Sequence, residues 1–207
     1  MEQNFLVFLL SAVIISLSGV LSPGPMTAAA IQQGSISGLT GIFIALGHGV
    51  VEMPLIFIIS LGAGSILQLD GIRIFIGIAG GIYLLFMGKN LLRVKKNAEN
   101  IEVRKTPSSF FSGIILSIGN PYFLLWWGTV GAGLVFSAAR FGTSGLFLFA
   151  IAHWFCDLLW YSFLSLTSFK GIKMLGARIY AKVSLLCGAA MLFYGGIFIV
   201  GSFKILL

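Results

Sequence analysis

The sequence predicts an all-α integral membrane protein, with six transmembrane helices arranged as two inverted three-helix repeats. First, the 207-residue chain is 58% hydrophobic and 9% charged, whereas a soluble domain carries about 25% charged residues. Second, the apolar residues form six runs, each close to the roughly 20 residues that a helix needs to cross a bilayer. Third, both histidines lie inside such runs, and each is followed four residues later by a carboxylate.

Gly-Ser breaks and charged clusters separate the six predicted spans. No basic segment precedes the first span, so we expect no cleaved signal peptide. We assign the first repeat to 1–92, a solvated loop to 93–109 and the second repeat to 110–207. The spans cover 5–30, 38–62, 71–92, 110–135, 143–167 and 181–203.

The distribution of lysine and arginine predicts the orientation in the membrane. Ten of the 13 basic residues lie in or beside the loops between spans 3 and 4 and between spans 5 and 6. Because cytoplasmic loops carry an excess of Lys and Arg, these two loops are predicted to be cytoplasmic. The sequence therefore predicts a multi-pass protein of the cell membrane with both termini outside.

The two halves resemble each other in sequence. Residues 41–48 match residues 146–153, each segment ending in a histidine, and Pro25 of span 1 matches Pro121 of span 4. Because each half has an odd number of spans, the second copy would enter the membrane inverted. Inverted repeats with broken helices and a site near the membrane midplane are typical of secondary transporters. Chance similarity between apolar helices is the alternative.

Span 1 contains the segment Ser22-Pro23-Gly24-Pro25. Two prolines remove two backbone donors, and glycine destabilises the helical conformation, so we predict a helix that is broken inside the membrane. Backbone groups freed there must meet protein or a water-filled cavity. We therefore assign Pro23, Gly24 and Pro25 to substrate binding. Alternatively, the first helix ends at the membrane surface and a proline begins the next element.

Span 4 contains a second break, at Gly119-Asn120-Pro121. Pro121 frees a carbonyl in the preceding turn and Asn120 can bond to backbone or ligand, so both are assigned to substrate binding. Asn120 could instead join two helices by a hydrogen bond. Trp126 and Trp127 follow this break. They belong to an interfacial aromatic belt, or one of them faces a cavity, in which case Trp126 is our candidate substrate-binding residue.

The histidine–carboxylate pairs are His48 with Glu52 in span 2 and His153 with Asp157 in span 5. A spacing of four residues puts both side chains of a pair on one helix face. A charged carboxylate at the centre of a membrane helix costs about 2.5–3.5 kcal/mol, so the pairs indicate a function, and we assign all four residues to proton coupling. Two alternatives stay open: a hydrogen-bonded brace between helices, or a metal site, since two histidines and two carboxylates are a plausible ligand set.

Three of these motifs, taken together, resemble the LysE/RhtB family of amino-acid exporters: the Ser-Pro-Gly-Pro of span 1, the Gly-His-x-x-x-Glu of span 2 and the Asn-Pro of span 4. Length and span count are similar too, so the resemblance covers essentially the whole chain. It implies efflux of amino acids or related small polar metabolites, driven by the proton gradient. Exporters of heavy-metal cations such as cadmium belong to the same broader superfamily, which gives cation export as an alternative.

Other functional classes fit less well. The chain lacks a basic stripe with interleaved aromatics, so we expect no nucleic-acid partner. An intramembrane enzyme using His and Asp is an alternative, but no His-Glu-x-x-His motif is present, and Cys156 and Cys187 lack redox spacing. We therefore predict no enzymatic activity, no cofactor and no resident metal. The expected partners are a small-molecule substrate and the lipid bilayer, and small-residue helix faces permit a homodimer.

Overall fold

The computed structural model describes residues 4–22, 24–62, 66, 69–93, 108–175 and 177–206. Within these ranges the regular structure is helical throughout, which confirms the predicted all-α class. The loop predicted over 93–109 lies almost wholly outside them. The helices are α1 (Phe5–Val20), α2 (Pro25–Gly34), α3 (Thr40–Ser60), α4 (Asp70–Arg93), α5 (Ser109–Ile118), α6 (Pro121–Trp126), a π-helical turn (Trp127–Gly131), α7 (Ala132–Ala139), α8 (Gly142–Leu175) and α9 (Ala177–Leu206).

The predicted first span is two helices that meet at a sharp bend. α1 and α2 together are long and apolar enough to cross a membrane, and their axes differ by 76°. Gly24 has an extended conformation, and Pro25 is the first residue of α2. Proline suits this place because the first helical residue needs no N–H donor. The helix is therefore interrupted next to Gly24 and Pro25 as expected, while Pro23 lies outside the described residues.

The predicted fourth span divides differently from the expectation. α5 ends at Ile118, and Asn120 caps α6 by accepting a hydrogen bond from the Tyr122 N–H over 3.1 Å. From Pro121 to Ala139 the chain is a 19-residue segment of sufficient length and hydropathy to cross a membrane by itself. The short apolar helix α5 stands before the break, so the membrane-crossing part begins and ends later than predicted.

The remaining predicted spans are single helices. α3, α4, α8 and α9 each contain a segment that is long and apolar enough to cross a membrane. With Pro121–Ala139 and the bent pair α1–α2, the described residues provide up to six spans. Many large apolar side chains point outward, among them Ile14, Phe75 and Leu186, each 70% or more exposed. Such faces suit hydrocarbon rather than water, in agreement with a multi-pass membrane protein.

Glycines let the central helices approach each other closely. A Cβ atom on Gly47 of α3 would collide with the backbone carbonyl of Phe110 in α5, and one on Gly113 of α5 would collide with the carbonyl of Ile44 in α3. Gly41 of α3 similarly faces the backbone of α8. Small residues at helix crossings are the usual means of close packing in membranes. This packing places the histidine-bearing faces of α3 and α8 against each other.

Candidate functional site

The two histidine–carboxylate pairs converge on one point between α3 and α8. Glu52 Oε1 lies 3.1 Å from His48 Nε2 and 3.2 Å from His153 Nε2. Asp157 places Oδ1 at 3.8 Å from His48 Nε2 and Oδ2 at 3.7 Å from His153 Nε2. All four residues are at most 4% exposed. We call these four residues the quartet. The sequence placed each pair on its own helix but could not show that the pairs meet.

Glu52 is the centre of the quartet, because one of its oxygens contacts both imidazoles. Its other oxygen, Oε2, is buried without a hydrogen-bond partner among the described residues, as is Asp157 Oδ2. The contact of Asp157 Oδ2 with His153 is an ion-pair distance that is too long for a hydrogen bond. Buried oxygens without partners are costly, so the quartet has unused capacity to accept protons or bind a cation.

Each imidazole contacts a serine hydroxyl through Nδ1, the ring nitrogen that does not face the carboxylates. His48 Nδ1 lies 2.7 Å from Ser117 Oγ of α5, and His153 Nδ1 lies 2.7 Å from Ser16 Oγ of α1. Both serines are fully buried. His48 of the first half is therefore bonded to α5, the helix before the break at Pro121. His153 of the second half is bonded to α1, the helix before the break at Pro25. The second nitrogen of each ring is left to face the carboxylates.

Aromatic side chains enclose the two rings. Trp126 and Trp127 contact His153 with ring centroids 5.3 and 4.9 Å apart. Phe123 lies 4.9 Å from the centroid of His48, with Tyr161 further away at 6.4 Å. Trp127 is completely buried. The quartet is thus buried among aromatic rings, and a low local dielectric constant strengthens electrostatic interactions there.

The quartet borders a cavity of about 300 Å³. This volume is at the lower end of small-molecule sites, so it suits a small metabolite. Of the predicted substrate-binding residues, Gly24, Pro25, Asn120 and Trp126 line the cavity. Pro121 begins α6 beside Asn120 but is not a lining residue. The two proline breaks and the quartet thus share one cavity.

Several cavity residues were missed by the sequence analysis. Tyr161 follows Asp157 by one helical turn on the same face and could have been found from that spacing. Ser16 and Ser117 carry no such signal. A serine in an apolar helix ordinarily bonds to the carbonyl four residues before it, and both serines do so. Their second contact, with a histidine on a distant helix, depends on the tertiary fold.

The chain matches the family model of the LysE type translocator over residues 17–202. The chain belongs to this family. The "Putative amino acid efflux protein YcgF" of Bacillus subtilis (strain 168) is 24% identical over 192 residues, covering 90% of this chain and 92% of the relative. The "Threonine efflux protein" of Escherichia coli (strain K12) is 24% identical over 165 residues, covering 72% and 79%. No solved structure matches the chain. The expected LysE-type resemblance is therefore confirmed, and these relatives point away from an enzyme.

Proposed function

We propose that this LysE-type translocator exports amino acids or related small polar metabolites across the cell membrane, coupled to the proton gradient. The observation that carries the proposal is the convergence of His48, Glu52, His153 and Asp157 beside a cavity of about 300 Å³. Imidazole is the side chain best suited to exchange protons near neutral pH, and carboxylates in contact with it can share those protons. Their contact with a substrate-sized cavity supports an effect of protonation on substrate binding.

The start of α2 is the proposed binding place for the substrate carboxylate. Gly24, Pro25, Met26 and Thr27 line the cavity, and no side chain of the described residues caps the N-terminus of α2. Free backbone N–H groups and the helix dipole favour an anion there. The corresponding end of α6 is already capped by Asn120. This difference favours the α2 break for the carboxylate.

The quartet is the proposed binding place for the substrate ammonium group. Glu52 Oε2 and Asp157 Oδ2 have no hydrogen-bond partner among the described residues, so an ammonium group would satisfy them. Trp126 lines the same cavity and can interact with a cation through its ring face. A zwitterion bound between α2 and the quartet would thus have both charged groups satisfied.

We further propose that the halves 1–92 and 110–207 are inverted repeats that enclose the cavity from two sides. The reciprocal anchoring of the histidines supports this arrangement: Ser16 of the first half holds His153, and Ser117 of the second half holds His48. With the 3–4 and 5–6 loops in the cytoplasm and both termini outside, as the basic residues predict, rocking of one repeat against the other would expose the cavity to each side in turn.

The test is transport in proteoliposomes with an imposed pH gradient and a panel of labelled amino acids. Glu52→Gln and Asp157→Asn are expected to abolish pH-driven efflux while the protein still inserts in the membrane. Asp70→Asn is the matched control, because this α4 carboxylate is 70% exposed and forms its ion pair with Arg73 of the same helix. Normal efflux in both quartet variants would refute the proposal.

Export of a divalent metal cation is a second candidate function, favoured by one feature. Ligand atoms of His48, Glu52 and Asp157 all lie within 4.8 Å of one another, and nitrogen and carboxylate oxygen are common ligands of zinc. The cation would be the transported substrate. Cells that lack the protein should become sensitive to particular amino acids if it exports amino acids, and to cadmium or zinc if it exports cations.

A further inference from the structure

We propose that Ser16 and Ser117 are positioning residues that keep a proton on Nδ1 of His153 and His48, so that only the Nε2 atoms exchange protons. Both Nε2 atoms face Glu52. The inference deepens the proposed proton coupling and rests on it for its role in transport, although the position of the protons can be measured separately.

The argument is a count of donors and acceptors. A serine hydroxyl has one proton to donate, and a backbone carbonyl can only accept. Ser16 Oγ lies 2.7 Å from the Ala12 carbonyl oxygen, and Ser117 Oγ lies 2.6 Å from that of Gly113. If each hydroxyl donates to its carbonyl, the histidine nitrogen must donate to the hydroxyl.

The opposite assignment is unfavourable. If Ser117 donated its proton to His48 Nδ1, two oxygens would face each other over 2.6 Å with no proton between them, closer than oxygen atoms approach without a hydrogen bond. The alternative acceptor of Ser117 is Met26 Sδ at 3.8 Å, a weak acceptor. The same reasoning applies to Ser16. Both rings therefore carry a proton on Nδ1 in every protonation state.

This assignment determines how many mobile protons the quartet needs. A neutral ring with its proton on Nδ1 presents a lone pair to Glu52 Oε1, at 3.1 Å for His48 and 3.2 Å for His153. Each contact becomes a hydrogen bond only when a proton lies between the two atoms, and one proton cannot serve both contacts. Two mobile protons satisfy both contacts and also neutralise the charges of Glu52 and Asp157.

Among the described residues, no charged side chain outside the quartet lines the cavity. The other titratable side chains near the quartet are phenols and a thiol, which are ordinarily neutral at neutral pH. None of the described residues that line the cavity is Lys or Arg. Tyr122 of α6, Tyr161 of α8 and Tyr194 of α9 line the cavity, and Cys156 precedes Asp157 in α8.

The two-proton state gives a simple exchange with substrate. When one proton leaves an Nε2 atom to water, the quartet has a net charge of minus one and one unbridged nitrogen–oxygen contact. A substrate ammonium group that then donates to Glu52 restores neutrality. One proton is thus exchanged for one ammonium group within the quartet, while the substrate carboxylate binds apart from the quartet at the start of α2.

The test is NMR spectroscopy of protein labelled with ¹⁵N in the histidine rings. The chain contains two histidines, so the spectrum of a protein without a histidine tag reports these two rings alone. We expect protonated Nδ1 in both rings across a pH series, with Nε2 alone changing. A neutral ring protonated at Nε2, in either histidine at any pH, would overturn the proposal.

Alanine variants assign each effect to one ring. In Ser16→Ala, His153 should no longer keep its proton on Nδ1, while His48 should be unchanged. In Ser117→Ala, His48 should change and His153 should not. Ser11→Ala is the matched control on α1, because Ser11 makes the same kind of bond to the Val7 carbonyl over 2.8 Å but is exposed. Equal changes in both rings, or no change in the expected ring, would contradict the assignment.

Transport separates a positioning role from a purely structural one. Ser16→Ala should shift the pH at half-maximal efflux toward acid, because the protonated ring has lost the acceptor of its Nδ1–H group, and Ser16→Thr, which keeps the hydroxyl, should restore it. An unshifted pH profile in Ser16→Ala refutes the role in transport. If Glu52→Gln and Asp157→Asn transport normally, the proposed function fails while the NMR result still decides the proton positions.

Discussion

Gly47→Ala should push α3 and α5 apart and thereby displace His48 of the quartet from Ser117. The added Cβ would meet the carbonyl oxygen of Phe110 far inside the ordinary van der Waals range, which begins at 3.4 Å. α3 and α5 must then separate locally by on the order of 1 Å. His48 follows Gly47 directly, and its bond to Ser117 of α5 is 2.7 Å long. A displacement of that size takes the bond beyond about 3.2 Å, the upper end of the usual range.

Two measurable effects should follow from this displacement. Overpacking of this kind destabilises a folded protein by about 1–3 kcal/mol, so the thermal unfolding temperature in detergent should fall. Loss of a buried hydrogen bond to an ionisable ring is worth about 1.5–3 kcal/mol, which corresponds to roughly a tenfold to hundredfold loss in the efflux rate. Efflux is measured in proteoliposomes at matched protein content.

A glycine elsewhere provides the control. A Cβ on Gly133 of α7 would meet no atom of the described residues within 4 Å, so Gly133→Ala should leave efflux unchanged and should not destabilise the protein. If Gly47→Ala transports at the rate of the unsubstituted protein, the close approach of α3 and α5 does not position His48, and the reasoning that links glycine packing to the quartet is wrong.

Three further substitutions test separate contacts. Trp126→Ala removes the ring beside His153 and part of the cavity wall. It should raise the substrate KM severalfold, because a cation–π contact is worth about 0.5–2 kcal/mol. An unchanged KM for substrate uptake would exclude the contact. Asn120→Ala removes the cap of α6 and should lower the free energy of unfolding by about 1 kcal/mol. Asn120→Ser keeps a capping oxygen and should retain most of that stability. Equal melting temperatures for Asn120→Ala and the unsubstituted protein would argue against capping. Trp154→Phe removes the 2.9 Å hydrogen bond from the indole N–H to the Ala45 carbonyl. The free energy of unfolding should fall by about 1 kcal/mol, which a melting curve in detergent would detect. An unchanged melting temperature would show that this α3–α8 contact adds no stability.

The parts of the fold that sequence predicted are those with a local physical cause. Long apolar runs must become helices in a bilayer, because their backbone groups find no other partners there. Gly24 and Pro25 lie at a break because proline has no N–H to donate within a helix, and Asn120 with Pro121 marks the second break for the same reason. Helix ends were less well predicted. α8 continues to Leu175, past the apolar run, because Lys and Leu are good helix formers.

The parts that sequence could not predict depend on contacts between distant helices. Glu52 lies against His153 across more than 100 positions, and no spacing rule connects them. Ser16 and Ser117 look like ordinary serines of apolar helices until the tertiary fold places a histidine beside each. The inverted repeat, the cytoplasmic loops and the outside termini remain predictions from the halves' similarity and the distribution of basic residues.

The most direct test of the central claim is to record proton movement and amino-acid movement together. Proteoliposomes containing a trapped pH dye and the unsubstituted protein should show proton flux when a transported amino acid is added, with one proton moved per amino acid. The same vesicles with Glu52→Gln or Asp157→Asn should show no substrate-driven proton flux. Amino-acid movement without proton flux in the unsubstituted protein, or unchanged proton flux in both variants, would contradict a quartet that couples protons to export.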